Sequence, residues 1–163
     1  MKTIIIHITL TLLFLYSILF TVIYKKKCNT LTEEIKKIQA LSDKHFRLFR
    51  MMDHWVKAKM KQKSVADYLR EKNIKNVAIY GLSYVGQTLT EELENENITV
   101  LYGIDQNPEF YCQEFEVYTI NDNLPDVDMI IVTPIMSFKQ IKEMLTEKVS
   151  AEIVSIEDII DYI

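Results

Sequence analysis

One segment constrains this chain more than any other. Ile4 to Tyr24, IIIHITLTLLFLYSILFTVIY, is 21 residues long and carries no formal charge. About 20 apolar residues are what a helix needs to cross the hydrocarbon core of a bilayer, so a single transmembrane helix is predicted here. A cleaved secretory signal would show a small-x-small site after the apolar run. Lys25, Lys26 and Lys27 follow instead, and the segment is expected to stay. By the positive-inside bias those lysines outweigh Lys2 on the other flank. The expected location is the cell membrane, single-pass, with the C-terminal domain in the cytoplasm. His7, in the outer third of the span, reads as an interface residue and not as part of a proton or ligand path.

With 163 residues the chain has room for one modest domain besides the anchor, not for a two-domain dehydrogenase. Its 19 Lys and Arg against 23 Asp and Glu conceal a segregation of charge. Lys25 to Lys75 holds 15 basic and 6 acidic residues, net +9, whereas Asn76 to Ile163 holds only Lys139, Lys142 and Lys148 against 17 acids, net −14. A basic stretch beside an anchor is drawn to an anionic membrane surface, at roughly 1 kcal/mol per Lys or Arg close to it, and an acidic domain is held off. The acidity also excludes nucleic acid as a partner of the C-terminal half, because phosphate backbones demand clustered Lys and Arg. Cys28 and Cys112 have no C-x-x-C spacing, and His7, His45 and His54 all lie in the N-terminal third, so no metal site is legible. Both thiols are expected to be free. Cys28 lacks the small-residue pattern of a lipoprotein signal.

Thr30 followed by Glu33 makes a capping-box signature, and from there to about Lys63 no Gly or Pro interrupts the sequence. This predicts one long basic helical stalk, residues 25–75 forming the segment between the anchor and the domain. Leu31, Ile35, Ile38, Leu41, Leu48, Phe49, Met52, Trp55 and Val56 recur at three- and four-residue spacings, an amphipathic stripe that needs a partner surface. The partner is either the same helix of a second chain, giving a homodimer through a short coiled coil, or the face of the chain's own sheet. Phe46, Phe49 and Trp55 read as packing residues and not as an aromatic ligand box. Ser64 is placed to cap a second short helix through about Glu71, with Asn73 as its stop. Tyr68 and Lys72 have the Y-x-x-x-K spacing of short-chain dehydrogenases, but they precede the glycine turn instead of following it, and the spacing is taken as coincidence.

From Asn76 the texture changes to short apolar runs rich in Val, Ile and Tyr, alternating with helical stretches and punctuated by the chain's only glycines and prolines. That is α/β patterning. Strands are predicted at 76–80, 99–105, 116–119, 128–133 and 152–155, and helices at 84–95 and 137–147, with a last helical turn at 157–162. The all-apolar run MIIV at 129–132 suits a strand covered on both faces. The fold class expected for 76–163 is thus α/β, a small Rossmann-like parallel sheet preceded by one transmembrane helix (residues 1–24) and a long amphipathic helix. In a dinucleotide fold the first glycine of the strand-to-helix turn allows the tight bend, the second admits the pyrophosphate, and the third lets helix pack on strand. Gly81 and Gly86 hold the outer two positions and Ser83 the middle one. Asp105 closes the second strand 24 residues after Gly81, near where an acid holds the adenosine ribose hydroxyls. No Arg follows it for a 2′-phosphate, which favours NAD over NADP.

The turn IYGLSYVGQTL, 79–89, resembles the opening of nucleotide-sugar dehydrogenases, where Gly-Leu-Gly-Tyr-Val-Gly is common and this chain has Gly-Leu-Ser-Tyr-Val-Gly. Residues 76–160 are also similar to the Rossmann-like N-terminal domain of membrane-bound nucleotide-sugar 4,6-dehydratases of bacterial polysaccharide biosynthesis, in the glycine turn, in IDQN at 104–107 and in LPDVDMIIVT at 124–133. The resemblance covers about half the chain and implies a nucleotide or nucleotide-sugar context. Neither the dehydrogenases' nucleophilic cysteine nor the dehydratases' catalytic tyrosine and lysine has a counterpart after Gly86.

The expected binding residues are therefore Gly81, Leu82, Ser83, Tyr84, Val85, Gly86, Asp105 and Thr133, with Thr133 and Pro134 at a strand's C-terminal end, where ligands sit in open α/β sheets. The ligand would be NAD or a nucleotide sugar, and no catalytic residue is assigned. No Lys or Arg occurs between Asn76 and Phe138, so a diphosphate would depend on backbone N–H groups, the helix dipole and the Ser83 hydroxyl. Two functions follow as expectations. One is a membrane-tethered binding or regulatory module of envelope polysaccharide synthesis beside a membrane-bound glycosyltransferase; the other is a scaffold whose Rossmann-like domain has lost its ligand and binds a protein.

Overall fold

The computed structural model describes residues 2–94, 96–107 and 115–163. The chain divides into two compact units, Met1–Phe46 and Arg47–Ile163. Cys112 lies outside the described residues; Cys28 is exposed and free.

The first unit belongs to helix α1, Lys2–Met60, whose apolar N-terminal part is long enough to cross a membrane by length and composition. Every large apolar side chain from Ile4 to Tyr24 is exposed. The hydroxyls of this stretch are satisfied within the helix: Thr11 donates to the Ile8 carbonyl at 2.8 Å, Ser17 to Phe14 at 2.8 Å and Thr21 to Ser17 at 2.7 Å. Such back-bonding satisfies a helical hydroxyl without a partner outside the helix. The capping box expected at Thr30 does not form. Nothing between Tyr24 and Thr30 breaks a helix, so α1 passes straight through, the Thr30 hydroxyl donates back to the Lys26 carbonyl at 3.1 Å, and Glu33 pairs with Lys36 at 3.2 Å.

In the second unit, α2 (Val65–Glu71) begins at a capping box in which the Ser64 hydroxyl accepts the Asp67 N–H and the Asp67 carboxylate accepts the Ser64 N–H. It stops before Asn73, whose φ of 58° turns the chain into the sheet. The strands β1 (Asn76–Tyr80), β2 (Thr99–Ile104), β3 (Glu116–Tyr118), β4 (Met129–Val132) and β5 (Glu152–Ser155) form one parallel sheet in the order β3-β2-β1-β4-β5. Helices α3 (Tyr84–Leu93), α4 (Phe138–Thr146) and α5 (Ile156–Tyr162) complete the α/β fold.

Alternation along the two central strands makes two cores. Val77, Ile79, Met129 and Ile131 meet α2, α3, α5 and the end of α1, while Ala78, Tyr80, Ile130 and Val132 meet α4. From the β1–β4 pair, the β1-α3-β2 and β4-α4-β5 crossovers step outward in opposite directions. With the usual right-handed crossover, α3 and α4 then fall on opposite faces, as the two cores record.

The apolar stripe of α1 divides. Met51, Trp55 and Ala58 are buried in the core with Leu48 and Met52 partly so, whereas Leu31, Ile35, Ile38, Leu41, Phe49 and Val56 stay exposed. Glu92 of α3 fixes the buried part. Its side chain is 4% exposed and accepts the Trp55 indole N–H at 2.5 Å and the Val65 N–H at 2.6 Å, with Lys59 at 3.4 Å. Several boundaries move for local reasons. Strand β4 is one residue shorter at each end than predicted, and the Asp128 carboxylate accepts the N–H groups of Lys75 and Asn76 at 3.0 and 2.8 Å, tying the starts of β1 and β4 together. A 3-10 turn, Ile135–Ser137, stands before α4 because the chain leaves Pro134 through tight Ile135-to-Thr133 and Ser137-to-Pro134 backbone bonds. Strand β2 ends one residue before Asp105, and α3 ends at Leu93; the predicted end at Asn95 lies outside the described residues.

Candidate functional site

The strand order reverses between β1 and β4: from β1 the chain moves out to β2 and β3, then returns to the other side of β1. In open α/β sheets the crevice beyond the C-terminal ends of two such strands is where ligands bind, because the connections leave it uncovered. Here it lies between the β1–α3 turn and the Thr133–Pro134 segment. A cleft of about 340 Å³ opens there, lined by Tyr80, Gly81 and Ser83 from the turn, Asp105, Gln106 and Asn107 after β2, and Pro134, Ser137, Gln140, Ile141 and Met144 on the α4 side.

The turn is built by its glycines. Gly81 has φ +88°, and a side chain there would also strike the Pro134 ring and the Thr133 hydroxyl at 2.8 Å. At Gly86 a Cβ would stand 2.1 Å from the Gly81 carbonyl oxygen, so only glycine lets α3 start this close to β1. The bend and the helix-packing roles are filled; Ser83 occupies the position between them. Ser83 is exposed at the N-cap of α3, and its hydroxyl makes no capping bond, so it faces the cleft with its donor uncommitted to the helix.

Asp105 is committed to the turn. Its Oδ2 accepts the Leu82 N–H at 3.0 Å and its Oδ1 accepts the Asn107 N–H at 3.1 Å. Thr133, 4% exposed, donates its hydroxyl to the Gly81 carbonyl at 2.7 Å, with Tyr80's carbonyl at 3.2 Å, and so stitches β4 to the turn. Burial, with the Asp105 charge beside it, holds the Tyr80 phenol above its ordinary pKa, so Tyr80 is a neutral hydroxyl at physiological pH.

Of the residues expected at the site, Gly81, Ser83 and Asp105 line the cleft together. Leu82, Val85, Gly86 and Thr133 are buried beneath or beside the turn and shape it without lining the cleft, and Tyr84 is 86% exposed outside it. The α4-side residues Ser137, Gln140, Ile141 and Met144 were not anticipated, since they are brought to the turn only by the β1–β4 pairing, which no local pattern announces. Tyr68 and Lys72 form no activated pair. The Tyr68 ring packs edge-on against Tyr162 at 5.2 Å, Lys72 lies 5.8 Å over it, and burial raises the phenol pKa, the opposite of activation.

Compared with known proteins, the chain matches no family model, no curated protein and no solved structure.

Proposed function

We propose that this is a single-pass membrane protein whose cytoplasmic, Rossmann-like domain binds a nucleotide or nucleotide sugar. In this reading it serves as a regulatory module of bacterial cell-envelope polysaccharide biosynthesis, beside a membrane-bound glycosyltransferase. The observation that carries the reading is the cleft at the strand-order reversal, where the Gly81 turn, Ser83 and Asp105 converge. Support for the anchor comes from the uncharged Ile4–Tyr24 segment and the three lysines after it. A binding role is preferred to catalysis because, among the described lining residues, the Asp105 carboxylate is engaged by two backbone N–H groups and the Tyr80 phenol is held neutral.

The test is a thermal-shift screen of the full chain in nanodiscs against NAD, UDP-sugars and CoA. A ligand at 100 times its Kd adds about 2.7 kcal/mol, which for a domain of this size is a rise of several degrees. Silence from every compound at millimolar concentration would remove the binding claim. No NADH turnover is expected.

The described cleft lining holds no Lys or Arg and residues 76–163 carry net −14, which favours a second reading, a scaffold whose acidic domain binds a protein partner. Pull-down with the detergent-solubilised protein decides it: recovery of the chain alone counts against the scaffold.

A further inference from the structure

We propose that the cleft grips an uncharged, hydroxyl-rich moiety, the sugar or nucleoside part of its ligand, and that the Asp105 carboxylate keeps phosphate away from the glycine turn. This rests on the ligand-binding reading above and inverts its usual electrostatics. A glycine turn at a helix N-terminus ordinarily offers its N–H groups to an anion. Here the Leu82 N–H already has one: Asp105 Oδ2 at 3.0 Å, on a carboxylate held in place from its other side by the Asn107 N–H at 3.1 Å. A phosphate brought to the turn therefore meets a fixed like charge. The described lining contains no Lys or Arg to offset it, and none occurs between Asn76 and Phe138. Thr133 cannot help, since its hydroxyl proton is held by the Gly81 carbonyl at 2.7 Å.

What the lining does offer is neutral. Gln106, Asn107 and Gln140 carry amides and Ser83 and Ser137 carry hydroxyls, and each of these groups both donates and accepts. That is the complement of a ring bearing several hydroxyls. Ile141 and Met144 add an apolar surface for the C–H face of such a ring. The volume of about 340 Å³ stands at the low end of small-molecule pockets and suffices for one ring system.

Calorimetry on the full chain in zwitterionic nanodiscs, titrated with uridine, N-acetylglucosamine, UDP and UDP-N-acetylglucosamine, tests this. Uridine binding tighter than UDP assigns the cleft to the nucleoside part, and N-acetylglucosamine binding tighter than UDP assigns it to the sugar part; either supports the proposal. Asp105→Asn keeps an acceptor for the Leu82 N–H while removing the charge, and should raise UDP affinity relative to uridine roughly tenfold. Gln140→Lys leaves the turn untouched and should move the ratio in the same direction. UDP binding tighter than both uridine and N-acetylglucosamine in the natural protein, or an unchanged ratio in both variants, overturns the proposal while leaving ligand binding intact. No binding of any of the four compounds overturns both readings.

Discussion

Glu92 joins three segments that are far apart in sequence, accepting from the Trp55 indole of α1 and the backbone N–H at the start of α2 while sitting on α3. Removing a buried acceptor leaves its donors unsatisfied, which costs about 1–3 kcal/mol for each group. Glu92→Ala should therefore destabilise the domain by about 3 kcal/mol, measured by urea unfolding through the fluorescence of Trp55, the chain's one tryptophan. A loss under 0.5 kcal/mol would show that the clamp contributes little. A second residue-scale expectation concerns alkaline pH. Burial, with Asp126 and Tyr118 nearby, pushes the Tyr102 phenol up to about 12, and its hydroxyl donates to the Pro125 carbonyl at 2.8 Å. An unfolded tyrosine titrates near 10, so the contribution is complete below about pH 10 and is lost as pH rises from about 10 to about 12. At the acid end the signs reverse. Hydrogen bonds hold the Asp67, Asp122 and Asp128 carboxylates below their ordinary pKa, so their contribution is present above about pH 4 and falls away below it. Tyrosine absorbance and Trp55 fluorescence, followed across pH, check both windows.

Among the elements, α1 shows most clearly what the sequence conveys and what it hides. Strands β1 and β5 and helix α2 were legible residue by residue, because apolar β-branched runs, Ser64 and Asn73 act locally. Thr30 with Glu33 misled, because a capping box has meaning only where the chain is not yet helical. Of the buried face, the stripe held Trp55, with Leu48 and Met52 partly buried, and missed Met51 and Ala58; α1 carries apolar residues on more than one face, with Phe49 and Val56 exposed, and periodicity alone does not say which face a sheet will cover. Nor was the structural use of Thr133 visible, since its acceptors lie on another strand. In the first unit the stripe stays uncovered, and Cys28, Leu31, Ile35 and Ile38 follow the three-four spacing of a coiled-coil seam. If two chains pair there in parallel, their Cys28 thiols lie side by side. Oxidation of the Cys112→Ser protein in membranes should give a disulfide-linked dimer, lost when Ile35 and Ile38 are both changed to Glu. A monomer under all oxidising conditions would argue against pairing through the stalk.

Over the whole molecule the charge is segregated along the chain. Lys25 to Lys75 carries net +9 and Asn76 to Ile163 net −14, so in the proposed topology an anionic surface would attract the stretch after the apolar segment and repel the domain. The fold was readable from the sequence because glycines, prolines and apolar runs all agree; the cleft was half readable, its turn side from Gly81 to Ser83 and its α4 side not at all. The central claim is that this cleft is a ligand site. Hydrogen–deuterium exchange of the full chain in nanodiscs, with and without UDP-N-acetylglucosamine at millimolar concentration, tests it most directly. Slower exchange is expected at 81–84, 105–107 and 137–140 with no change elsewhere in the domain, whereas unchanged exchange at all three segments, or protection confined to other surfaces, would contradict ligand binding in the cleft.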